Sequence, residues 1–95
     1  MGNGMTTQRI VVTGRVQGVG YRNWTMGTAR DLGVRGWVRN INGNAVEILA
    51  TADDAPMESL IEACHQGPRL ARVEHVDVQP AEDGGWKGFS KRFAG

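Results

Sequence analysis

The chain has 95 residues, a formal charge of +1 and one cysteine. That length suits one domain able to bury a single core without staples. The near balance of charge gives no basic stripe of the kind a nucleic-acid or membrane surface uses. The lone Cys64 excludes an internal disulfide and any paired-cysteine metal or redox site, which fits a reducing compartment.

Met1 to Gln8 is short, polar and glycine-bearing, without the apolar stretch of a signal peptide, and no apolar run approaches bilayer length. The expectation is a cytoplasmic monomer in which residues 1–7 form a disordered head and residues 8–95 the folded domain. Ile10-Val11-Val12, between Arg9 and Thr13, reads as a first strand closed by Gly14.

The stretch from Gly14 to Arg22 comes next and organises the rest of the chain. A glycine-punctuated turn between a strand and a helix start can aim several backbone N–H groups at one point, beside the positive end of the helix dipole. Arg22, in the first helical turn, can add a fork of donors to the same anion. A Walker loop is excluded because no Lys-Ser or Lys-Thr follows, and the dinucleotide fingerprint fails at Asn23, where glycine or alanine is needed. Glycine spacing alone leaves a plain turn and an anion cradle equally open.

Tyr21, Trp24, Thr25, Thr28, Ala29 and Leu32 share one face of the helix that follows, with Arg22, Asn23, Met26, Arg30 and Asp31 on the other. Gly33 suits a left-handed C-cap. Arg35 to Ile41 and Asn44 to Thr51 are β-rich runs around Asn42-Gly43, which predicts a two-residue hairpin turn with Asn40 near the end of its strand. Asp53, Asp54 and Pro56 mark a helix start with an aspartate cap, Met57, Leu60, Ile61 and Cys64 its apolar face, and Gly67-Pro68 its stop. Val73 to Val78 reads as a strand, and Trp86 to Phe93 as a possible short final one weakened by Gly88.

This order defines an α+β class, a ferredoxin-like βαββαβ sandwich: a four-stranded antiparallel sheet with two helices packed on one face. Right-handed crossovers put the first and third strands side by side at its centre. The turn after the first strand and the end of the second then fall near each other.

Gly14-Arg15-Val16-Gln17-Gly18-Val19-Gly20-Tyr21-Arg22, with Ala29, Leu32-Gly33, Gly36-Trp37-Val38-Arg39-Asn40, Val46-Glu47, Gly67-Pro68, Ala71-Arg72-Val73 and Gly88-Phe89, closely resembles the acylphosphatases. The resemblance runs from Arg9 to Phe93. It implies the same ferredoxin-like sandwich and metal-free hydrolysis of acyl phosphates, small molecules, to a carboxylate and inorganic phosphate. By match of motif it implies Arg22 as the phosphate-binding arginine and Asn40 as the residue that positions water. The backbone of Arg15, Val16, Gln17, Gly18, Val19, Gly20 and Tyr21 would complete the phosphate cradle. It implies no metal and no other cofactor, and the charge balance already argues against a nucleic-acid or membrane partner. Family members often carry Asp-Gly in the hairpin, at the positions of Gly43-Asn44. A turn shifted by one residue would also shift the register around Asn40.

Other residues have plainer readings. Gln17 is expected to brace the loop, Trp24, Trp37 and Phe89 to pack in the core or sheet, and Cys64 to be an inert buried thiol. His65 and His75 lack metal-ligand partners at the right spacing. The sequon at Asn23 lies inside a helix of a chain with no secretory signal, which argues against glycosylation. Two rival functions share the fold. An RNA-recognition sheet needs an exposed aromatic run that is missing here. A regulatory or maturation domain would bind an anion without turning it over.

Overall fold

The computed structural model describes residues 4–93. Its elements are β1 (Thr6–Arg15), α1 (Tyr21–Leu32), β2 (Arg35–Ile41), β3 (Ala45–Ala52), α2 (Asp54–Gln66), β4 (Arg72–Pro80) and β5 (Phe89–Arg92). The sheet order is β4-β1-β3-β2-β5, so β1 and β3 hold the centre as the crossover argument requires. No helix among the described residues is long and apolar enough to cross a membrane.

Strand pairing explains the two faces. Ile10 lies opposite Ile48 on one side and Val78 on the other, and Val12 opposite Val46 and Val76, so these side chains share a face. Both helices pack there, contributing Tyr21 and Ala29 from α1 and Met57, Leu60 and Cys64 from α2 to a single core. Each fully buried Ile or Leu in it is worth about 1.5–3 kcal/mol. The face away from the helices carries Glu47, 5% exposed between Arg9 and Arg39, which both hydrogen-bond to its carboxylate. Trp37 also lies on that face, yet it is only 8% exposed, beneath the guanidinium groups of Arg39 and Arg92.

Four expectations need correction. First, the sheet is five-stranded and mixed: β5 runs parallel to β2, with Val38 opposite Lys91. A chain that leaves β4 and crosses one end of the sheet must return antiparallel to β4, which is the direction of β2, and pairing there covers an edge otherwise left open. Second, β1 starts at Thr6, inside the stretch expected to be a loose head. Thr7 is buried, with its hydroxyl 2.7 Å from that of Thr51; residues 1–3 lie outside the described residues. Third, the hairpin loop has three residues, 42–44, because Ile41 pairs with Ala45. Asn42 and Gly43 both take positive φ, 61° and 94°, as their identities suggest. Asn40 keeps an unbroken register opposite Val46. Fourth, Asp53 stands at the N-cap of α2 but its side chain makes no capping hydrogen bond; only its carbonyl serves, accepting from Met57 N at 3.0 Å.

Candidate active site

The antiparallel order gathers one set of strand ends together: the last residues of β1, β2 and β5, the first of β3 and β4, and the N-terminus of α1. At this end β1 breaks register between Thr13 and Gly14, a bulge. Only glycine fits there, since a Cβ on Gly14 would stand 2.3 Å from the Arg72 carbonyl oxygen. The Gly14 N–H donates to Asn44 O at 3.0 Å, tying the mouth of the loop to the β2–β3 hairpin.

The loop from Val16 to Gly20 then turns into α1. Gly20 is the N-cap, with φ 80° and ψ 17°, a left-handed conformation that glycine adopts freely. Its carbonyl accepts from Trp24 N at 3.0 Å, but no side chain caps the helix. Among the described residues, no protein acceptor engages the loop N–H groups from Val16 to Gly20. The first turn of α1 holds no acidic residue and does hold Arg22, where the dipole opposes a cation. A small cleft of about 110 Å³ opens here, lined by Val16, Gly18, Gly20, Tyr21, Arg22, Asn23, Asn40 and Lys91. Pockets for drug-sized ligands start near 300 Å³, so this one suits an anion and little more.

The structure therefore brings Arg22 and Asn40 to one cleft. Arg22 Nη1 donates to Arg92 O at 3.2 Å, which fixes its side chain across the end of β5. The Asn40 amide makes no hydrogen bond among the described residues, and neither Arg22 nor Asn40 faces a paired carboxylate. Of the loop, Val16, Gly18, Gly20 and Tyr21 line the cleft, while Arg15 and Val19 line its neighbour. Gln17 braces the loop as expected: its Nε2 donates to Ile41 O at 3.0 Å and to Ala45 O at 2.8 Å, on either side of the hairpin. That bond pair sets the loop's position relative to Asn40, one residue away.

Tyr21 offers no hydroxyl to the cleft, because its side chain is buried in the core and its hydroxyl donates to Cys64 O at 2.7 Å. Burial, and then the nearby Cys64, push its phenol far above the usual range. Burial likewise pushes the Cys64 thiol up to about 12, against a small lowering by Tyr21, so it holds no nucleophilic thiolate at neutral pH. His65 and His75 are exposed. No group of three or more His, Cys, Asp or Glu among the described residues is placed to hold a metal.

Two cleft residues escaped the reading of the sequence. Lys91 Nζ donates to Asn23 Oδ1 at 3.0 Å across the cleft wall. Neither residue carries a local signal, because Lys91 arrives only through the parallel pairing of β5 with β2. Arg30 helps to fix that strand, donating to Phe89 O from Nε at 3.1 Å and from Nη2 at 2.9 Å.

Fold and cleft together define a class: a small ferredoxin-like sandwich whose site is an arginine- and amide-lined cleft at one end of the sheet. Comparison with known proteins makes this particular. The acylphosphatase family model matches residues 8–91. An acylphosphatase of Salinibacter ruber is 50% identical over 88% of this chain and 82% of its own. The solved structure of an acylphosphatase from Coxiella burnetii superposes with a TM-score of 0.90 at 29% identity, covering 94% of each chain. The structure of HypF from T. kodakarensis contains a similar unit, with a TM-score of 0.82 and 27% identity over 92% of this chain but 12% of that one. The chain belongs to the acylphosphatase family, whose activity is the hydrolysis of acyl phosphates to a carboxylate and inorganic phosphate.

Proposed function

We propose that the cleft performs this hydrolysis without a metal, with the phosphate held by the 15–21 backbone and Arg22 and the attacking water positioned by Asn40. The observation that carries the reading is the convergence of Arg22, Asn40 and the unengaged loop N–H groups on one anion-sized cleft. The water oxygen forms the new bond to phosphorus, the bond from phosphorus to the acyl oxygen breaks, and the carboxylate leaves with the electron pair. A leaving group with a pKa of roughly 4 to 5 needs no general acid. Phosphoryl transfer through a loose transition state asks mainly for positioning and charge stabilisation, which amides and a guanidinium provide. Asn40 has no basic form at neutral pH, so the proton from water passes to an oxygen of the substrate's own phosphate.

The test is turnover of an aryl acyl phosphate in excess chelator by the wild type, Arg22→Ala and Asn40→Ala. Full wild-type activity with a folded but inactive pair of variants is the expected result. Loss of wild-type activity to the chelator would overturn the metal-free mechanism, and an essential enzyme base in the pH–rate profile would overturn proton transfer to substrate. A second reading, an anion-binding domain without turnover, is compatible with the same fold; calorimetric phosphate binding by a folded but inactive wild type would select it. The proposal includes a cytoplasmic monomer acting on small molecules without a cofactor; the buried free Cys64 supports the reducing compartment, and the charge balance supports a small-molecule substrate over nucleic acid or membrane.

A further inference from the structure

A second cleft, of about 380 Å³, lies on the other side of the loop and shares Gly18 with the first. Arg15, Arg69 and Arg72 line it together with Val19 and Leu70, the latter 64% exposed. Its charge arrangement is costly. Arg15 pairs directly with Arg72 across β1 and β4, and like charges directly opposite each other destabilise a sheet. The bulge creates that pairing: Thr13 faces His75, β4 then skips Glu74, and Arg72 comes opposite Arg15, where an unbroken register would have put Val73. Arg69 joins them from the turn after α2, held by Ala71 N donating to Pro68 O at 3.0 Å. None of the three arginines makes an ion pair among the described residues, whereas Arg9, Arg35 and Arg39 all do.

We propose that this arginine cleft is a subsite for a second anionic group on the substrate, so that acyl phosphates with a carboxylate or further phosphate on the acyl chain are preferred to those with neutral chains. The proposal rests on the reading that the neighbouring cleft hydrolyses the acyl phosphate. With the phosphate seated at the loop, the acyl chain crosses Gly18, its methylenes pass Val19 and Leu70, and its distal anion meets the three guanidinium groups. Bidentate donors of this kind distinguish an anionic from a neutral chain end, which the first cleft is too small to do.

The experiment compares kcat/KM for acetyl phosphate and succinyl phosphate at low ionic strength, where exposed charges are least screened. The proteins are the wild type and the double variant Arg69→Gln/Arg72→Gln. The wild type is expected to favour succinyl phosphate. The double variant is expected to lose about tenfold on succinyl phosphate, the effect of one or two charge-assisted hydrogen bonds, and to hold acetyl phosphate within about twofold. An equal loss on both substrates, or no loss on either, overturns the subsite and leaves the hydrolase reading intact. A folded wild type that turns over neither substrate overturns the hydrolase reading, and the subsite falls with it.

Discussion

The two ends of the arginine distribution differ in what neutralises them. On the sheet face away from the helices, Arg9 and Arg39 both bond to Glu47, and at the far rim Arg35 bonds to Asp83 and to the Trp86 carbonyl. At the loop end, Arg15, Arg22, Arg69 and Arg72 have no carboxylate partner among the described residues, and Arg22 sits at the unfavourable end of a helix dipole. A net charge of +1 therefore conceals a polarised molecule. Carboxylates pair with Arg9, Arg35 and Arg39, while the arginines around the loop have none among the described residues, which on the proposed reading leaves them to an anion from outside. On the proposed reading, local charge, and not the total, decides where phosphate binds.

The sharpest test of that division is Arg22→Ala. Removing one preorganised donor to a transferring group costs about 100- to 1,000-fold in kcat, while stability should move by no more than about 0.5 kcal/mol, since no buried partner is orphaned. Glu47→Ala should do the reverse. It leaves two guanidinium groups facing each other without their anion, a loss of about 2 kcal/mol after allowing for the partial exposure of both arginines, and a drop in Tm of about 10 °C. Thermal melts and acetyl phosphate turnover on both variants read the two axes separately. Similar effects of the two changes on both axes would show that the two arginine groups are one network. Gln17→Ala falls between them. It strips two carbonyls of their donor, at about 1 kcal/mol, and frees the loop from the hairpin, so kcat should fall roughly tenfold with the fold intact.

How much of this was legible depended on whether the cause was local. The α1 helix, its Gly33 cap with φ 76° and α2 are written in apolar spacing and turn residues and stand where those signals put them, while the hairpin is in place with a loop one residue longer than Asn42-Gly43 implies. The convergence of the loop with Asn40 follows from topology, because a split βαβ arrangement brings those strand ends together. The remainder is set by long-range pairing. Nothing near Lys91 announces a parallel partner 53 positions earlier, Val38, so its place in the cleft was hidden. Nor does Glu47 carry a sign of burial: its alternation in β3 points it away from the helices, onto a face where the two flanking arginines engage its carboxylate. The Arg15–Arg72 pair needed the bulge, which a sequence shows only as one glycine among many.

The smallest expected effect is a pH dependence that the paired arginines should show and the loop arginines should not. Burial by itself would raise the Glu47 carboxyl, but the hydrogen bonds from Arg9 and Arg39, and their charges, outweigh it and hold the group below its ordinary value. A carboxyl whose folded pKa is depressed contributes stability that is fully present above the unfolded pKa and is lost as pH falls through the folded one. Wild-type stability should therefore decline as acid is added below about pH 4.5, the usual range for glutamate. A Glu47→Gln variant, already weaker at neutral pH, should show a shallower decline over the same interval. Arg22→Ala and Arg72→Gln should follow the wild-type slope, because no carboxylate depends on either side chain. Urea unfolding at pH 7 and at successive steps down to pH 3 measures this directly. Parallel slopes for the wild type and Glu47→Gln would mean that other carboxylates govern acid stability and that the Glu47 pairs add little to it.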